Sequence, residues 1–455
     1  MARENFGSRL GFLLVSAGCA IGIGNVWRFP FVAGEYGGGV FVLLYLVFLA
    51  IMGIPLLTME FSVGRAGRKS TVGAYQALQK PGQWWHVHGW VAWIGLCVLM
   101  CYYTTVAGWM MAYFYKFAAG DFSYGMDAAT IGGMFGAMLE NPSEMMFWMG
   151  VNVFLGFGIV SFGIKNGVER VTKGMMLCLL ILIMVLAGHS LTLEKAVEGM
   201  SFYLVPDFGR AFESGIGPIL TAAMAQAFFT LSIGIGSMEI FGSYIAKDHS
   251  LVGESITICC LDTFVAIMAG VIIFPACFSF GVSPDAGPAL IFVTLPNVFV
   301  NMEGGMIWGT LFFLFMTFAS FSTVIAVFEG ILAALLDNFP SLPRRITSIA
   351  CAVGVFAFSI PCVLGFNEWS TLSWLPEGKV ILDIEDFIVS NLMLPLGGLV
   401  FLMFCTTKLG WGYENYLKEV NIGNGMKMPT NSIIKWYLRI GVPVLVIFIL
   451  IQGLT

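Results

Sequence analysis

Three glycines, an asparagine, an arginine and a proline fall within Gly18-Cys19-Ala20-Ile21-Gly22-Ile23-Gly24-Asn25-Val26-Trp27-Arg28-Phe29-Pro30, inside an apolar run long enough to span a bilayer. Glycine weakens a helix interior and proline removes a donor. Hydrocarbon cannot satisfy the freed backbone groups, so a helix opened here must line a protected polar site. An arginine at such depth is costly and typically functional. A second stretch of this kind is Gln226-Ala227-Phe228-Phe229-Thr230-Leu231-Ser232-Ile233-Gly234-Ile235-Gly236. In Leu261-Asp262-Thr263 a carboxyl sits mid-run and needs a partner. The chemistry on offer is binding by amides, carbonyls and hydroxyls. There is no HExxH, GxSxG or Walker motif and no nucleophile–base set, so the sequence reads as a non-enzyme. All ten cysteines lie in apolar runs without metal-like spacing, and the four histidines fall near their ends.

The elements that must position these groups are membrane spans. The 455 residues are 58% hydrophobic and 11% charged, with a mean hydropathy of +0.87; a soluble chain carries about a quarter charged residues. Apolar runs near the length of a membrane helix recur throughout, predicting eleven spans at 10–33, 39–63, 88–116, 145–164, 174–192, 216–244, 251–280, 304–336, 346–365, 382–405 and 436–454. Residues 1–9 are short and polar and no cleavage site follows, so the first span is expected to persist. The interrupted spans are the first and the sixth, so a repeat of five would be inverted. Paired glycine-interrupted spans in two such halves point to a transporter site. The expected fold is an all-α polytopic membrane protein: a single transmembrane transporter domain over 1–455, with inverted repeats at about 9–192 and 216–405 and an extra helix at 436–454.

Orientation follows from lysine and arginine. With the N-terminus in the cytoplasm, inner loops receive Arg9, Arg65, Arg68, Lys69, Lys165, Arg170, Lys173, Arg344 and Arg345 among others. The outer ones receive only Lys116, Lys195, Arg210 and Lys379. This predicts a multi-pass protein of the cell (inner) membrane with the C-terminus outside. The net charge of −5 adds little.

The chain resembles the neurotransmitter:sodium symporter family, its eleven-span bacterial members in particular. The resemblance rests on Arg9-Leu10-Gly11, Ala17-Gly18, Gly22 to Pro30, Gly37-Gly38-Gly39, Gly53-Ile54-Pro55, Glu60, Tyr102-Tyr103, Phe228 to Ser232, Gly236, Ser243-Tyr244, Ala319 and Ser322-Thr323. It implies sodium-driven amino-acid uptake by alternating access. The substrate carboxylate would meet amides near Ile23 and Gly24 and the Tyr103 hydroxyl, at the positive end of a half-helix. The ammonium would meet carbonyls of Ala20, Phe229 and Thr230 and the Ser232 hydroxyl. Gly22, Gly24 and Gly234 permit close approach of backbone. The resemblance places two sodium ions, hard cations that want oxygen. The first would take the Ala20 carbonyl, Asn25, Thr230, Asp262 and the substrate's own carboxylate. The second would take carbonyls of Gly18, Ile21 and Ala319 with the hydroxyls of Ser322 and Thr323. Hydroxyls such as these also bond back within their own helix.

Two departures stand out. A leucine-carrying bacterial member has asparagine where Asp262 stands, and animal relatives neutralise this region with chloride; Asp262 therefore predicts no chloride requirement. In the fifth span Gly167-Val168-Glu169-Arg170 is present, but the proline expected ten residues after the glycine is Leu177; opening would then use bending, or Gly174. By resemblance Arg28 and Asp386 pair on the outer side above a lid of Tyr103 and Phe229, and Arg3 pairs with Asp337 on the inner side. The side-chain pocket maps to Ile23, Leu99, Phe229, Ile235, Thr323 and Val327. It is apolar and suits a neutral hydrophobic amino acid. A carrier of another small zwitterion or osmolyte, or a non-transporting sensor, is the alternative.

Overall fold

The computed structural model describes residues 4–282, 290–372, 376 and 378–454. Arg3, one member of the expected inner pair, lies outside the described residues. Among them, nine helices are long and apolar enough to cross a membrane. Arg9–Ala20 and Gly24–Glu35, bent by 56° at their break, would form a tenth. The stretch expected as a sixth span is two short helices, Ile216–Phe229 and Ser237–Gly242.

Both interruptions arise locally. Arg9–Ala20 stops at Ile21, whose φ of −70° and ψ of 98° are extended. In the second break, Ser232, Gly234 and Gly236 all have positive φ, at 50°, 108° and 73°. Gly234 has no substitute: a Cβ there would lie 2.1 Å from the Leu394 carbonyl oxygen. Such a conformation favours glycine, and here the approach of a second backbone demands it.

Proline shapes the other helices without breaking them. Wide π turns at Gly24–Arg28, Leu49–Gly53, Leu290–Thr294, Phe387–Met393 and Tyr437–Gly441 each end two residues before Pro30, Pro55, Pro296, Pro395 or Pro443. A proline ring clashes with the carbonyl four residues back. Closing the turn over five residues removes that conflict and keeps the backbone bonded where no water can reach.

Trp85–Ala119 and Gly305–Asn338 form the centre of the bundle, with 72% and 83% of their apolar windows buried, against 22% for the peripheral Ser432–Leu454. Central helices are apolar on every side, as burial requires. Close packing uses small residues: a Cβ on Gly309 would strike Phe117 at 2.3 Å, and one on Gly156 would lie 2.8 Å from Phe328.

The helix expected as the fifth span corrects the expected boundary. It begins at Ile164, not near 174, so only Phe162 and Gly163 separate it from Pro142–Ser161. Lys165, Arg170 and Lys173 are its charged first turns, not a loop. Its π turn at Ile164–Glu169 has no proline behind it. Gly174 is exposed and nothing would meet a Cβ there within 4 Å. Gly174→Ala should therefore raise stability by about 0.5–1 kcal/mol through helix propensity. If Gly174 is the bending point, the same change slows uptake; unchanged uptake in vesicles would leave the π turn as the hinge.

Candidate functional site

The two broken helices face each other across the bundle centre, and the candidate residues gather around their breaks. Asn25, Thr230 and Asp262 are buried to 0%, 1% and 0% exposure. The Asn25 amide donates to Asp262 Oδ1 at 2.8 Å and to Thr230 Oγ1 at 3.2 Å. Thr230 Oγ1 donates to Asp262 Oδ2 at 2.9 Å. Asn25 Oδ1 accepts from the Gly22 amide at 3.2 Å, tying the cluster to the break. Three elements thus bring together an amide, a hydroxyl and a carboxyl. Ala20 and Thr230 line one small cavity beside it.

A second oxygen cluster lies at the end of Arg9–Ala20. Thr323 Oγ1 stands 3.2 Å from the Gly18 carbonyl oxygen, 3.3 Å from that of Ile21 and 3.4 Å from that of Cys19. It is 3.5 Å from the Ala319 oxygen on its own helix. One hydroxyl carries one proton and cannot satisfy four carbonyls. The surplus of lone pairs in a buried all-oxygen set suits a hard cation. The Cys19 carbonyl was not foreseen; it is exposed to the cluster because the helix ends one residue later. Ser322 donates to Ala319 at 3.0 Å, within its own helix.

Between the clusters is a cavity of about 30 Å³ lined by Cys19, Ala20, Gly22, Gly24, Leu99, Tyr103, Phe229, Thr230, Ser232, Ile235, Thr323, Val389 and Leu394. Most expected pocket residues are here. Val327 is fully buried but does not line it, being one turn beyond Thr323. Ile23 lines a neighbouring cavity instead, while its amide donates to Tyr103 Oη at 3.1 Å. Val389 and Leu394 were unforeseen: Val389 comes from the π stretch Phe387–Met393, and Leu394, beside Gly234, opens the α-helix that follows it.

The neighbouring cavity, about 260 Å³, is lined by Ile23, Gly24, Trp27, Arg28, Phe31, Tyr102, Tyr103, Val106, Phe229, Leu382 and Asp386. Tyr103, Phe229 and Gly24 line both, so these two rings form the partition. The expected Arg28–Asp386 ion pair is not formed. The Arg28 guanidinium lies 4.3 Å from the Phe229 ring centroid. Asp386 Oδ1 accepts from Tyr102 at 3.0 Å and Ser390 at 2.7 Å. Each charge is satisfied by a nearer neutral group.

At the opposite end of the bundle several contacts join the described residues. Asp337 accepts from the Ser70 amide at 2.5 Å. Glu169 accepts from the Gly7 amide at 2.6 Å and the Ser8 hydroxyl at 2.9 Å. Arg9 pairs with Glu254 at 2.7 Å, and Glu329 takes Arg344 and the Tyr244 hydroxyl. Glu60 accepts the Gly234 amide at 2.5 Å, fixing the second break from behind.

Comparison with known proteins gives a consistent result. A family model described as "Sodium:neurotransmitter symporter family" matches residues 3–130 and 131–455. The uncharacterized sodium-dependent transporter YhdH of Bacillus subtilis is 33% identical over 447 residues, covering 98% of this chain and 96% of that protein. The sodium- and chloride-dependent GABA transporter 2 of Bos taurus is 25% identical, covering 91% and 73%. The crystal structure of MhsT in complex with L-phenylalanine matches with a TM-score of 0.87 at 35% identity, covering 99% of this chain and 100% of that one.

Proposed function

This chain belongs to the sodium:neurotransmitter symporter family, and we propose that it imports neutral hydrophobic L-amino acids with sodium by alternating access. The observation that carries this reading is the joining of both oxygen clusters to the first broken helix: Asn25 reaches Thr230 and Asp262, and the carbonyls of Gly18 and Ile21 reach Thr323. Two cations bound there would fix the break against elements of both halves. The first cluster adjoins the cavity where a substrate carboxylate would complete it.

In this reading eleven spans make a five-plus-five inverted repeat plus one helix. The N-terminus is cytoplasmic and the C-terminus outside the cell membrane. Asp262 supplies the fixed negative charge at the first ion, so chloride is not required. Leu99, Ile235, Val389 and Leu394 give an apolar wall and no carboxylate for an amine. L-phenylalanine in MhsT is a substrate-class precedent.

The test is thermal stabilisation of the purified protein, since a ligand that binds only the folded state raises apparent stability. Leucine, methionine, phenylalanine and tryptophan should stabilise it in sodium and fail to in potassium. Replacing chloride by gluconate should change nothing. Stabilisation by betaine or GABA alone would establish the osmolyte alternative. A strict need for chloride would overturn the role given to Asp262. Sodium-dependent binding without uptake into vesicles would establish a sensor.

Ile235 is expected to set the size limit. It is 1% exposed, lines the small cavity and stands between two positive-φ glycines. A methylene of fit in an apolar pocket is worth about 1–3 kcal/mol. Ile235→Phe should keep leucine and lose tryptophan by about tenfold or more in competition binding. Equal loss of both, with a lowered Tm, would mean the ring only disturbs packing.

A further inference from the structure

We propose that Tyr102, assisted by Ser390, is a positioning residue that holds Asp386 away from Arg28 and so keeps the outer gate open; this rests on the symporter reading above. Asp386 Oδ1 accepts from both hydroxyls, at 3.0 Å from Tyr102 and 2.7 Å from Ser390. Arg28 lies over the Phe229 ring at 4.3 Å. The two opposite charges line one cavity and make no ion pair with each other. The gate therefore has two arrangements of the same residues. In one, the carboxylate is parked on neutral donors and the guanidinium on an aromatic face. In the other, the charges meet above Phe229 and Tyr103. Moving between them exchanges hydrogen bonds and a cation–π contact for an ion pair, and the balance is set by the difference.

Tyr102 is suited to this by its place in the sequence. Its neighbour Tyr103 accepts the Ile23 amide at 3.1 Å, at the proposed carboxylate position. Successive residues on a helix point about 100° apart, so one rigid helix, Trp85–Ala119, presents Tyr103 to the substrate pocket and Tyr102 to the gate. Ser390 lies one turn beyond Asp386, across the start of the Phe387–Met393 π turn. It can follow the carboxylate only over a short distance, which leaves Tyr102 as the donor that must be released.

The experiment places a reporter in the gate cavity with Leu382→Cys and follows its labelling by a membrane-impermeant thiol reagent in sodium. Protein without Leu382→Cys gives the background. A hydrogen bond to an ionised group is worth about tenfold in an equilibrium. Tyr102→Phe should therefore slow labelling up to about tenfold and tighten amino-acid binding, because Asp386 is freed for Arg28. Ser390→Ala should act in the same direction with a smaller effect, and it carries the test if Tyr102→Phe does not fold. With Asp386→Asn already present, Tyr102→Phe should add nothing. Unchanged or faster labelling in Tyr102→Phe, with Asp386→Asn still altering the rate, overturns the role of Tyr102 and leaves the gate standing. Labelling that ignores Asp386→Asn and Arg28→Lys as well overturns the gate reading itself.

Discussion

Asn25→Ala is expected to weaken sodium and amino-acid binding together, each by tenfold to a hundredfold. The Asn25 amide donates to both Asp262 and Thr230, and its oxygen takes the Gly22 amide. Alanine removes all three contacts at once. It leaves a fully buried carboxyl with one donor fewer and a freed amide at the helix break. Leaving a buried polar group unsatisfied costs about 1–3 kcal/mol, and more where the group is charged. If the amino-acid carboxylate completes the same ion's shell, the coupling is reciprocal: whatever sodium loses in promoting substrate, substrate loses in promoting sodium. Sodium titrations at fixed phenylalanine, and phenylalanine titrations at fixed sodium, measure both directions by thermal shift. A variant with weak phenylalanine binding but undisturbed sodium dependence would break the shared shell.

The part of this site legible in the sequence is the part written in backbone chemistry. Glycines at 22, 234 and 236 within apolar runs mark where the helices must open, because hydrocarbon offers an opened backbone nothing. The structure opens both helices there. Thr323, Asn25 and Thr230 were singled out by the family resemblance and not by residue type, since a hydroxyl in an apolar run also bonds back within its own helix. Other features left no such mark. Val389 and Leu394 look like any apolar span residues, yet Val389 in the wide turn before Pro395 and Leu394 just after it line the small cavity, Leu394 against Gly234. The partners of Asp386 depend on which of several nearby donors is nearest, a matter of ångströms between distant segments. The start of the fifth helix was hidden because lysine and arginine mimic a loop, whereas a helix end at the membrane surface tolerates them. The amphipathic Tyr413–Val420, packed against the end of Ile54–Gly67 by the Arg65–Glu419 ion pair at 2.7 Å, carries too few apolar residues to register as a span.

The same distinction separates the two ion clusters. In the first, side chains from three elements supply the oxygens, and a substitution deletes a ligand. In the second, most oxygens are carbonyls of the ending helix, and no side-chain deletion removes them. Its weak point is the path of the backbone between Gly18 and Gly24.

Gly22→Ala should accordingly abolish sodium-driven uptake, with a loss of at least about a hundredfold. A Cβ at Gly22 would fall 2.4 Å from Tyr103 Oη and 2.7 Å from Thr323 Oγ1. Neither atom is the free end of a flexible chain. Tyr103 Oη is held by the Ile23 amide, and Thr323 Oγ1 sits among the carbonyls of Gly18, Cys19 and Ile21. Displacing either one disturbs the proposed carboxylate position or the second ion cluster, and the methyl lies between them. Overpacking a close-fitted site costs about 1–3 kcal/mol, and two binding functions would bear it together. The φ at this position is not positive, so alanine is not excluded by its own backbone and the protein should fold. Gly188→Ala, an exposed glycine with open space around it and no assigned role, is the matched control and should transport normally or nearly so. Folded Gly22→Ala that still shows sodium-dependent stabilisation by phenylalanine would mean Tyr103 and Thr323 can both move aside, and neither would then be a fixed ligand of the site.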